Sequence, residues 1–351
     1  METALIVLAL ALIFIVVIQI ARTSELLSTI KGEGVVSKNG NNLIAISLLV
    51  YGILFLVLTT WSAFYYMDLM TPVIAAEEGQ IIWDTFILSL VPIVIVFFIT
   101  QFLLFAFAYK YRAKEGKTAF YFPHNNKLEV IWTAVPAIVL TILVANGIEN
   151  WNKITDDPSE DAHLVEATGQ QFSWIIRYPG KDGELGERQF ELIDGVNTLG
   201  INWEDPRSND DFFPNDIVLK VGQEVQFKLG AKDVLHNFNL PHFNMKMDCV
   251  PGIPTRIVVT PTMTTKEARE IQNNPDFNFE LTCAELCGSA HWNMRKKVII
   301  LEEAEYNQWL SEQIPIKQLL GISEGIEEKE QTEVVSIEAT EGNNEQDINV
   351  L

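Results

Sequence analysis

Long stretches of apolar residues dominate the first 150 positions of the chain. Four of them carry no charge and come close to, or exceed, the roughly 20 residues with which a helix spans a bilayer. They are Thr3–Ile20, Leu43–Met67, Thr85–Tyr109 and Val130–Ile148. The first run lacks the basic start and the small-residue cleavage site of a secretory signal peptide, so we interpret it as a retained helix. The sequence therefore predicts four transmembrane helices.

The pattern changes after residue 150, where short runs separated by glycine and proline replace the long apolar ones. Predicted strands occupy residues 163–168, 172–178, 188–193, 216–221, 224–229, 256–260, 278–282 and 296–302. Many short strands at this spacing indicate a β-sandwich or a Greek-key barrel. A helical period over Glu303–Glu312 predicts one helix on the outside of the strands.

The connections between the apolar runs differ in charge, and this difference predicts how the helices are oriented. The connection between the second and third runs holds four acidic residues and no basic one, whereas the connections after the first and third runs are basic. The basic residues are Arg22, Lys31 and Lys38, then Lys110, Arg112, Lys114, Lys117 and Lys127. The positive-inside rule places the basic connections in the cytoplasm. Both termini, and everything from Trp151 onward, are then expected on the periplasmic side of a bacterial inner membrane.

Most of the negative charge lies in the second half of the chain. The formal charge is −21, and the first 150 residues, with 8 basic and 10 acidic side chains, contribute only −2 of it. An acidic surface argues against nucleic acid as a partner and favours a basic partner. The tail Ile322–Leu351 has nine acidic residues against Lys329. A tail of this composition becomes ordered only on a partner, so we expect a large assembly.

Two thiols, an imidazole and a thioether lie within twelve residues of one another, at Cys283, Cys287, His291 and Met294. Thiolate and thioether ligands favour copper, and methionine is an unusual ligand for zinc. A disulfide would leave the histidine and methionine spacing unexplained, and a single blue-copper site would use only one thiol. We therefore predict that two thiolates bridge two copper ions.

Each copper ion then needs one imidazole, and the cysteine-containing segment supplies only one. His236, at the end of a strand-like run, is the predicted second imidazole. Met294 is expected as a weak axial ligand of one ion and the backbone carbonyl of Glu285 as the axial ligand of the other. Two metals that share charge in a rigid β frame favour electron transfer over bond-making chemistry. The side chains to which we assign no ligand role are those of His124, His163, His242 and Cys249.

These residues resemble subunit II of the haem-copper cytochrome c oxidases over about residues 85–312. Leu128–Pro136 resembles the start of the second core helix of that family. Asp233–His236, followed by Asp248–Gly252, resembles the first copper loop, and Cys283–Met294 resembles the second. The resemblance implies transmembrane helices followed by a cupredoxin-like Greek-key β-sandwich that holds a binuclear copper A centre.

The resemblance also implies a function. The copper pair accepts electrons from a c-type cytochrome and passes them to haem in subunit I of a proton-pumping oxidase, where oxygen is reduced. The carboxylate of Glu285 is implied to reach a magnesium ion shared with subunit I. Glu129 is implied to lie near the mouth of a proton path, although an acid at a helix start also has a purely structural explanation. The expected partners are subunits I and III, the cytochrome donor, the lipid membrane and a larger respiratory supercomplex.

The sequence departs from the family on the donor side. The segment Gly169–Trp174 reads Gly-Gln-Gln-Phe-Ser-Trp, where the family has Gly-His-Gln-Trp-Tyr-Trp. We expect electrons to enter at Phe172 and Trp174, and the loss of the first tryptophan is compatible with a donor that is membrane-bound or fused to a partner complex. No Cys-x-x-Cys-His motif occurs, so no covalent c-type haem is expected in this chain.

The expected organisation has four parts. An extra N-terminal transmembrane hairpin covers 1–67, a core two-helix hairpin 68–150, a periplasmic copper domain 151–312 and an acidic, partner-bound tail 313–351. Two other functions are open, namely the copper A subunit of a nitric oxide reductase and a membrane-anchored copper carrier. A carrier would hold one labile copper ion, and an oxidase would consume oxygen.

Overall fold

The computed structural model describes residues 38–70, 72–114 and 116–322, together with isolated positions between residues 12 and 30. Most of the first predicted run, Thr3–Ile20, and the whole chain beyond residue 322 lie outside the described residues. The retained first helix and the partner-bound tail therefore stay predictions.

Three long apolar helices make up the membrane part of the described chain. The helices up to residue 155 are α1 (Lys38–Tyr65), the short α2 (Met67–Met70), α3 (Glu77–Lys110) and α4 (Asn126–Thr155). Gly40–Tyr65 within α1, and the whole of α3 and α4, are long and apolar enough to cross a membrane. The second, third and fourth predicted runs are therefore confirmed as candidate membrane spans. Because α4 continues to Thr155, it joins the next domain without a break after the apolar run.

Helix α1 packs along α3. A Cβ atom on Gly52 would overlap the ring of Phe105, so glycine is what allows the two helices to approach closely here. At the basic end of α3, Arg112 Nε donates to Asn42 Oδ1 at 2.7 Å, and Asn41 donates to the carbonyl of Ala113 at 2.7 Å. Helix α1 is therefore attached to the hairpin formed by α3 and α4.

Between residues 163 and 301, nine strands form two packed sheets. They are β1 (His163–Gln170), β2 (Ser173–Arg177), β3 (Ile217–Lys220), β4 (Val225–Ala231), β5 (His236–Leu240), β6 (Met245–Cys249), β7 (Thr255–Val259), β8 (Phe279–Cys283) and β9 (Arg295–Leu301). The strand orders are β2-β1-β4-β7 and β3-β9-β8-β5-β6. Strand β1 is parallel to β4 and β3 is parallel to β9, whereas the other pairs are antiparallel. The predicted β-sandwich is confirmed.

Apolar side chains from both sheets meet in one core, to which Phe227, Phe238, Phe279 and Leu281 contribute. Burial of rings and branched side chains of this size contributes roughly 1.5–3 kcal/mol each. Three short α-helices accompany the strands, namely α5 (Thr265–Ile271), α6 (Glu303–Ser311) and α7 (Ile316–Leu319). Helix α6 is the helix expected at residues 303–312.

The sandwich is fixed to the membrane helices at the start of α3. The carboxylate of Glu78 accepts hydrogen bonds from the backbone N–H and the hydroxyl of Thr260, at 2.8 and 3.0 Å. Just before the helix, the N–H of Ala75 donates to the carbonyl of His242 at 2.8 Å, and His242 Nδ1 lies 2.9 Å from the carbonyl of Val73. His242, for which we predict no ligand role, therefore contacts the segment that leads into α3.

The strand predicted at residues 188–193 is wrong. This segment belongs to an irregular lobe, residues 179–216, in which Phe190–Leu192 forms a turn of 3-10 helix. Isolated β-bridges, Arg188–Ile201 and Tyr178–Phe212, hold the lobe together with buried side chains. Arg177, which is 1% exposed, donates to Asp211 at 2.5 Å and to Glu166 at 3.1 Å, and Arg188 of the lobe donates to Glu166 at 2.9 Å.

Buried charges of this kind are stable only when they are paired, so the Arg177 cluster fixes the lobe on the outer face of β1. Burial raises the pKa of Asp211 to about 6, even though Arg177 opposes this shift. Residues of the expected tail also pack on the lobe. The N–H of Ile316 donates to the carbonyl of Asp211 at 2.8 Å, and Lys317 Nζ donates to Asn209 Oδ1 at 2.6 Å.

Candidate metal centre

Two loops at one end of the larger sheet bring the predicted ligands together. Loop A (Asp233–His236) leads into β5, and loop B (Cys283–Met294) connects β8 to β9. Phe238 of β5 pairs with Cys283 of β8, and this register brings the two loops side by side. The ligand atoms of His236, Cys283 and Cys287 all lie within 4.8 Å of one another.

Each thiol faces a different imidazole. Cys283 Sγ lies 3.8 Å from His236 Nδ1, and Cys287 Sγ lies 3.6 Å from His291 Nδ1. Met294 Sδ is 3.3 Å from Cys287 Sγ, and the carbonyl oxygen of Glu285 is 3.2 Å from Cys283 Sγ. The structure thus brings together all six groups that the sequence assigned to the copper pair.

Asp233 determines which nitrogen of His236 points at the thiols. Its Oδ1 lies 2.8 Å from His236 Nε2 and also accepts the N–H of Val234 at 2.7 Å. Its Oδ2 accepts the N–H of Gln171 at 2.7 Å. A carboxylate that accepts from Nε2 leaves Nδ1 unprotonated and able to bind a metal, and this is a common arrangement around metal-binding histidines.

One side of the site is closed to water, whereas Cys283 and His291 are partly exposed. His236 is fully buried and Cys287 is 6% exposed. Burial, together with the neighbouring Cys283, raises the pKa of the Cys287 thiol to about 11. At neutral pH this thiol becomes a thiolate only when a cation lies close enough to offset the loss of hydration. Two free thiols, two imidazole nitrogens and a thioether form a soft donor set, which fits copper.

The third cysteine lies close to the site but has no predicted ligand role. Cys249 is fully buried and pairs with His236 in the β5–β6 register. Burial raises the pKa of its thiol to about 12. Cys249 is therefore a neutral, packed side chain next to a predicted ligand.

The aromatic residues expected at electron entry lie in different environments. Trp174 is 3% exposed, and its ring centroid is 6.1 Å from that of His236. Phe172 is half-buried and lies against Gly288 of loop B. Two side chains that the sequence did not single out, Leu286 and Trp292, are 78% and 73% exposed. Their position between predicted ligands could have indicated that they are exposed, because a short loop cannot bury every side chain.

The two glutamates implied by the family resemblance are in different parts of the molecule. Glu285 has its carbonyl at Cys283 while the residue as a whole is exposed. Glu129 lies in the first turn of α4, where its Oε1 accepts the N–H of Asn125 at 3.3 Å. Asn125 in turn accepts the N–H of Leu128 at 3.2 Å. In the described structure Glu129 thus takes part in a helix cap.

Comparison with known proteins agrees with this architecture. Residues 59–148 match the transmembrane domain of cytochrome c oxidase subunit II, and residues 164–302 match its periplasmic domain. The "Alternative cytochrome c oxidase subunit 2" of Bradyrhizobium diazoefficiens is 38% identical over 207 residues, which is 58% of this chain and 70% of that protein. "Cytochrome c oxidase subunit 2" of Alkalihalophilus pseudofirmus is 30% identical over 262 residues, which is 73% of this chain and 62% of that protein.

Among solved structures, the periplasmic domain of subunit II of cytochrome oxidase from Bradyrhizobium japonicum is similar to this chain with a TM-score of 0.31 and 22% identity. The similarity covers 46% of this chain and 99% of that one.

Apolar helices followed by a cupredoxin-like sandwich with a sulfur and imidazole site define a membrane-anchored copper protein with a periplasmic domain. More particularly, the chain belongs to the cytochrome c oxidase subunit II family. Members of this family bind copper and are components of the oxygen-reducing haem-copper oxidase complex, together with other oxidase subunits. The resemblance stated from the sequence is confirmed, and neither a nitric oxide reductase subunit nor a copper carrier is favoured.

Proposed function

We propose that this chain is the electron-input subunit of a proton-pumping oxidase and that loops A and B hold a binuclear copper A centre. The observation that supports this most directly is that each of two neighbouring thiols faces its own imidazole Nδ1. A copper pair held there would take up and release one electron at a time. The family role is electron transfer from cytochrome c through this centre to subunit I, where we place the haem.

The side chains around the site have distinct proposed tasks. Cys283 and Cys287 would supply the two thiolates that hold the copper pair, and His236 and His291 would each supply one imidazole. Met294, which is buried beside Cys287, would add a weakly held thioether to this donor set. A rigid frame suits electron transfer because ligands that barely move keep the reorganisation of the site small.

The proposed orientation puts the copper domain and both termini on the periplasmic side of a bacterial inner membrane, with four membrane helices. Helix α3 supports it, because Glu77 and Glu78 occupy its first turn and Lys110 its last. Its acidic end bonds to the sandwich through Glu78. Its 34 residues correspond to about 50 Å at 1.5 Å per residue, enough to place Lys110 and Arg112 on the other side of the bilayer.

We place electron entry on the exposed side of loop B, at Phe172, Leu286 and Trp292, with Trp174 behind them. The exposed apolar side chains of Leu286 and Trp292 flank a site in which His236, Cys287 and Met294 are buried. An apolar patch on an acidic protein suits a basic partner such as a c-type cytochrome, which we propose is membrane-bound or fused to a partner complex within a supercomplex.

The roles of the two glutamates are also proposals. The side chain of Glu285 is exposed on the same loop as the thiols, so its carboxylate is available to a magnesium ion shared with subunit I. Glu129 lies at the end of α4 that is farther from the sandwich, as a residue near the mouth of a proton path must.

Substituting Cys287→Ser in the intact oxidase tests the copper pair. The wild-type complex is expected to bind two copper ions in this subunit and to show a mixed-valence electron paramagnetic resonance (EPR) signal, which the variant loses. Cys249→Ala removes a thiol of the same chain that we do not assign as a ligand, and it should keep the signal. An unchanged signal in Cys287→Ser would refute the two-copper assignment.

A further inference from the structure

Gln171 contacts both loops that carry the predicted copper ligands. Its backbone N–H donates to Asp233 Oδ2 at 2.7 Å, and the other oxygen of Asp233 lies 2.8 Å from His236 Nε2. Its side-chain Nε2 donates to the carbonyl of Cys287 at 2.5 Å. One residue thus joins loop A to loop B, although it offers no ligand of its own.

The position of Gln171 is fixed by a tight hairpin. Strand β1 ends at Gln170 and β2 begins at Ser173, and these two residues are register partners. The side chain of Gln170 donates to Ser173 Oγ at 3.0 Å, so it stays on the hairpin and does not reach loop B. A two-residue connection of this kind leaves the backbone of Gln171 little freedom.

Loop B follows the shape of this hairpin. Gly288, directly after Cys287, has a φ of +140°, a value that side chains rarely allow. A Cβ atom at this glycine would lie 2.7 Å from Cε1 of Phe172 and 3.1 Å from Nε2 of Gln171. The hairpin therefore presses on loop B at the residue that follows a predicted bridging thiolate.

We propose that Gln171 is a positioning residue for the copper centre, resting on the copper pair proposed above. Loops A and B come from strands that are distant in sequence, and the bridge from Asp233 through Gln171 to Cys287 fixes the separation of their ligands. Restraining the Cys287 carbonyl also restrains the direction in which its sulfur points. Because Gln171 is itself exposed, water can replace its donor, so its effect is on geometry more than on folding.

The test compares Gln171→Leu and Gln171→Glu with Gln170→Leu in the intact oxidase. Gln171→Leu keeps the backbone bond to Asp233 and loses the bond to Cys287. Gln171→Glu replaces the amide donor with a carboxylate oxygen, which repels the carbonyl oxygen of Cys287. Gln170→Leu removes the matched amide that bonds only within the hairpin. Haem content establishes that each complex has assembled.

Three quantities are measured, namely the rate at which bathocuproine removes copper after reduction, the hyperfine splitting of the mixed-valence signal and the midpoint potential. Gln171→Leu should lose copper about three- to tenfold faster than wild type, as expected for one lost hydrogen bond, with an altered splitting and potential. Gln171→Glu should be affected more strongly, and Gln170→Leu should match wild type.

Two results would overturn the positioning role alone. One is a Gln171→Leu complex that matches wild type in all three quantities. The other is an equal effect of Gln170→Leu, which would mean that any change in the hairpin suffices. A wild-type complex with one copper ion and no mixed-valence signal would instead refute the proposed function, and the positioning role with it.

Discussion

Asp233→Asn is the substitution whose effect can be worked out most fully from the structure. The carboxylate of Asp233 accepts from three donors, which are the N–H groups of Gln171 and Val234 and Nε2 of His236. An asparagine has one carbonyl oxygen, so its amide nitrogen must face at least one of these donors. When the carbonyl oxygen stays on His236 and Val234, the amide nitrogen faces the N–H of Gln171. Loop A then loses its bond to Gln171, and His236 loses the negative charge behind its ring.

Two magnitudes follow from these contacts. Loss of a group that orients a metal ligand typically costs about 10- to 100-fold in metal affinity. Adding the width of the imidazole ring and one metal–nitrogen bond to the 2.8 Å contact places the charge of Asp233 roughly 7 Å from a copper ion bound to Nδ1. At that distance the attraction between the two charges is about 0.6 kcal/mol with the dielectric constant of water and about 2.4 kcal/mol with that of a protein surface. Because the negative charge favours the oxidised pair, its removal should raise the midpoint potential by roughly 25–100 mV.

The assay is a redox titration of the mixed-valence signal in the intact complex, followed by copper removal with a chelator. Asp205→Asn is a matched control, because Asp205 also accepts two backbone N–H groups but its partners are Glu187 and Arg207 of the lobe. An unchanged potential together with wild-type copper retention in Asp233→Asn would refute the role assigned to this carboxylate.

Four further predictions concern ligand strength, electron entry and the lobe. Met294→Leu should keep both copper ions but raise the midpoint potential, because axial ligands tune the metal more than they hold it; redox titration and copper analysis check this. Phe172→Trp should raise the rate of electron transfer from soluble cytochrome c in stopped-flow experiments, and an unchanged rate would place the entry point elsewhere. Arg177→Met should lower the free energy of unfolding by about 3–5 kcal/mol, since it leaves the buried carboxylate of Asp211 without a cation and leaves Glu166 with Arg188 alone; urea unfolding of the detergent-solubilised chain measures it. Burial raises the pKa of Asp211 to about 6 in the folded chain, above its ordinary value of 3.8, so the folded chain binds an extra proton between these values. Stability should therefore fall as pH rises from about 4 to 6, and Asp211→Asn should remove this part of the pH dependence of thermal unfolding.

The lobe illustrates how tertiary contacts override a local pattern. Residues 188–193 alternate well enough to predict a strand, yet Arg188 turns inward to Glu166 while Phe190 stays exposed. The free energy of pairing the buried Arg177 outweighs the propensity of a six-residue segment, which is worth at most about 1 kcal/mol per residue. No local signal in the sequence links Arg177 to Asp211, because the two are 34 positions apart.

The sequence by itself determined the donor set of the site and the three membrane runs that the structure describes. Uncharged stretches of this length have few stable environments other than a bilayer. Two thiols, an imidazole and a thioether in one loop are all ligands that favour copper. Only the tertiary structure decided how loop A meets loop B, because that depends on a strand register between residues 45 positions apart, Phe238 and Cys283. It also decided that Asp233 and Gln171 connect these loops, since hydrogen bonds between distant segments leave no periodic trace in the chain.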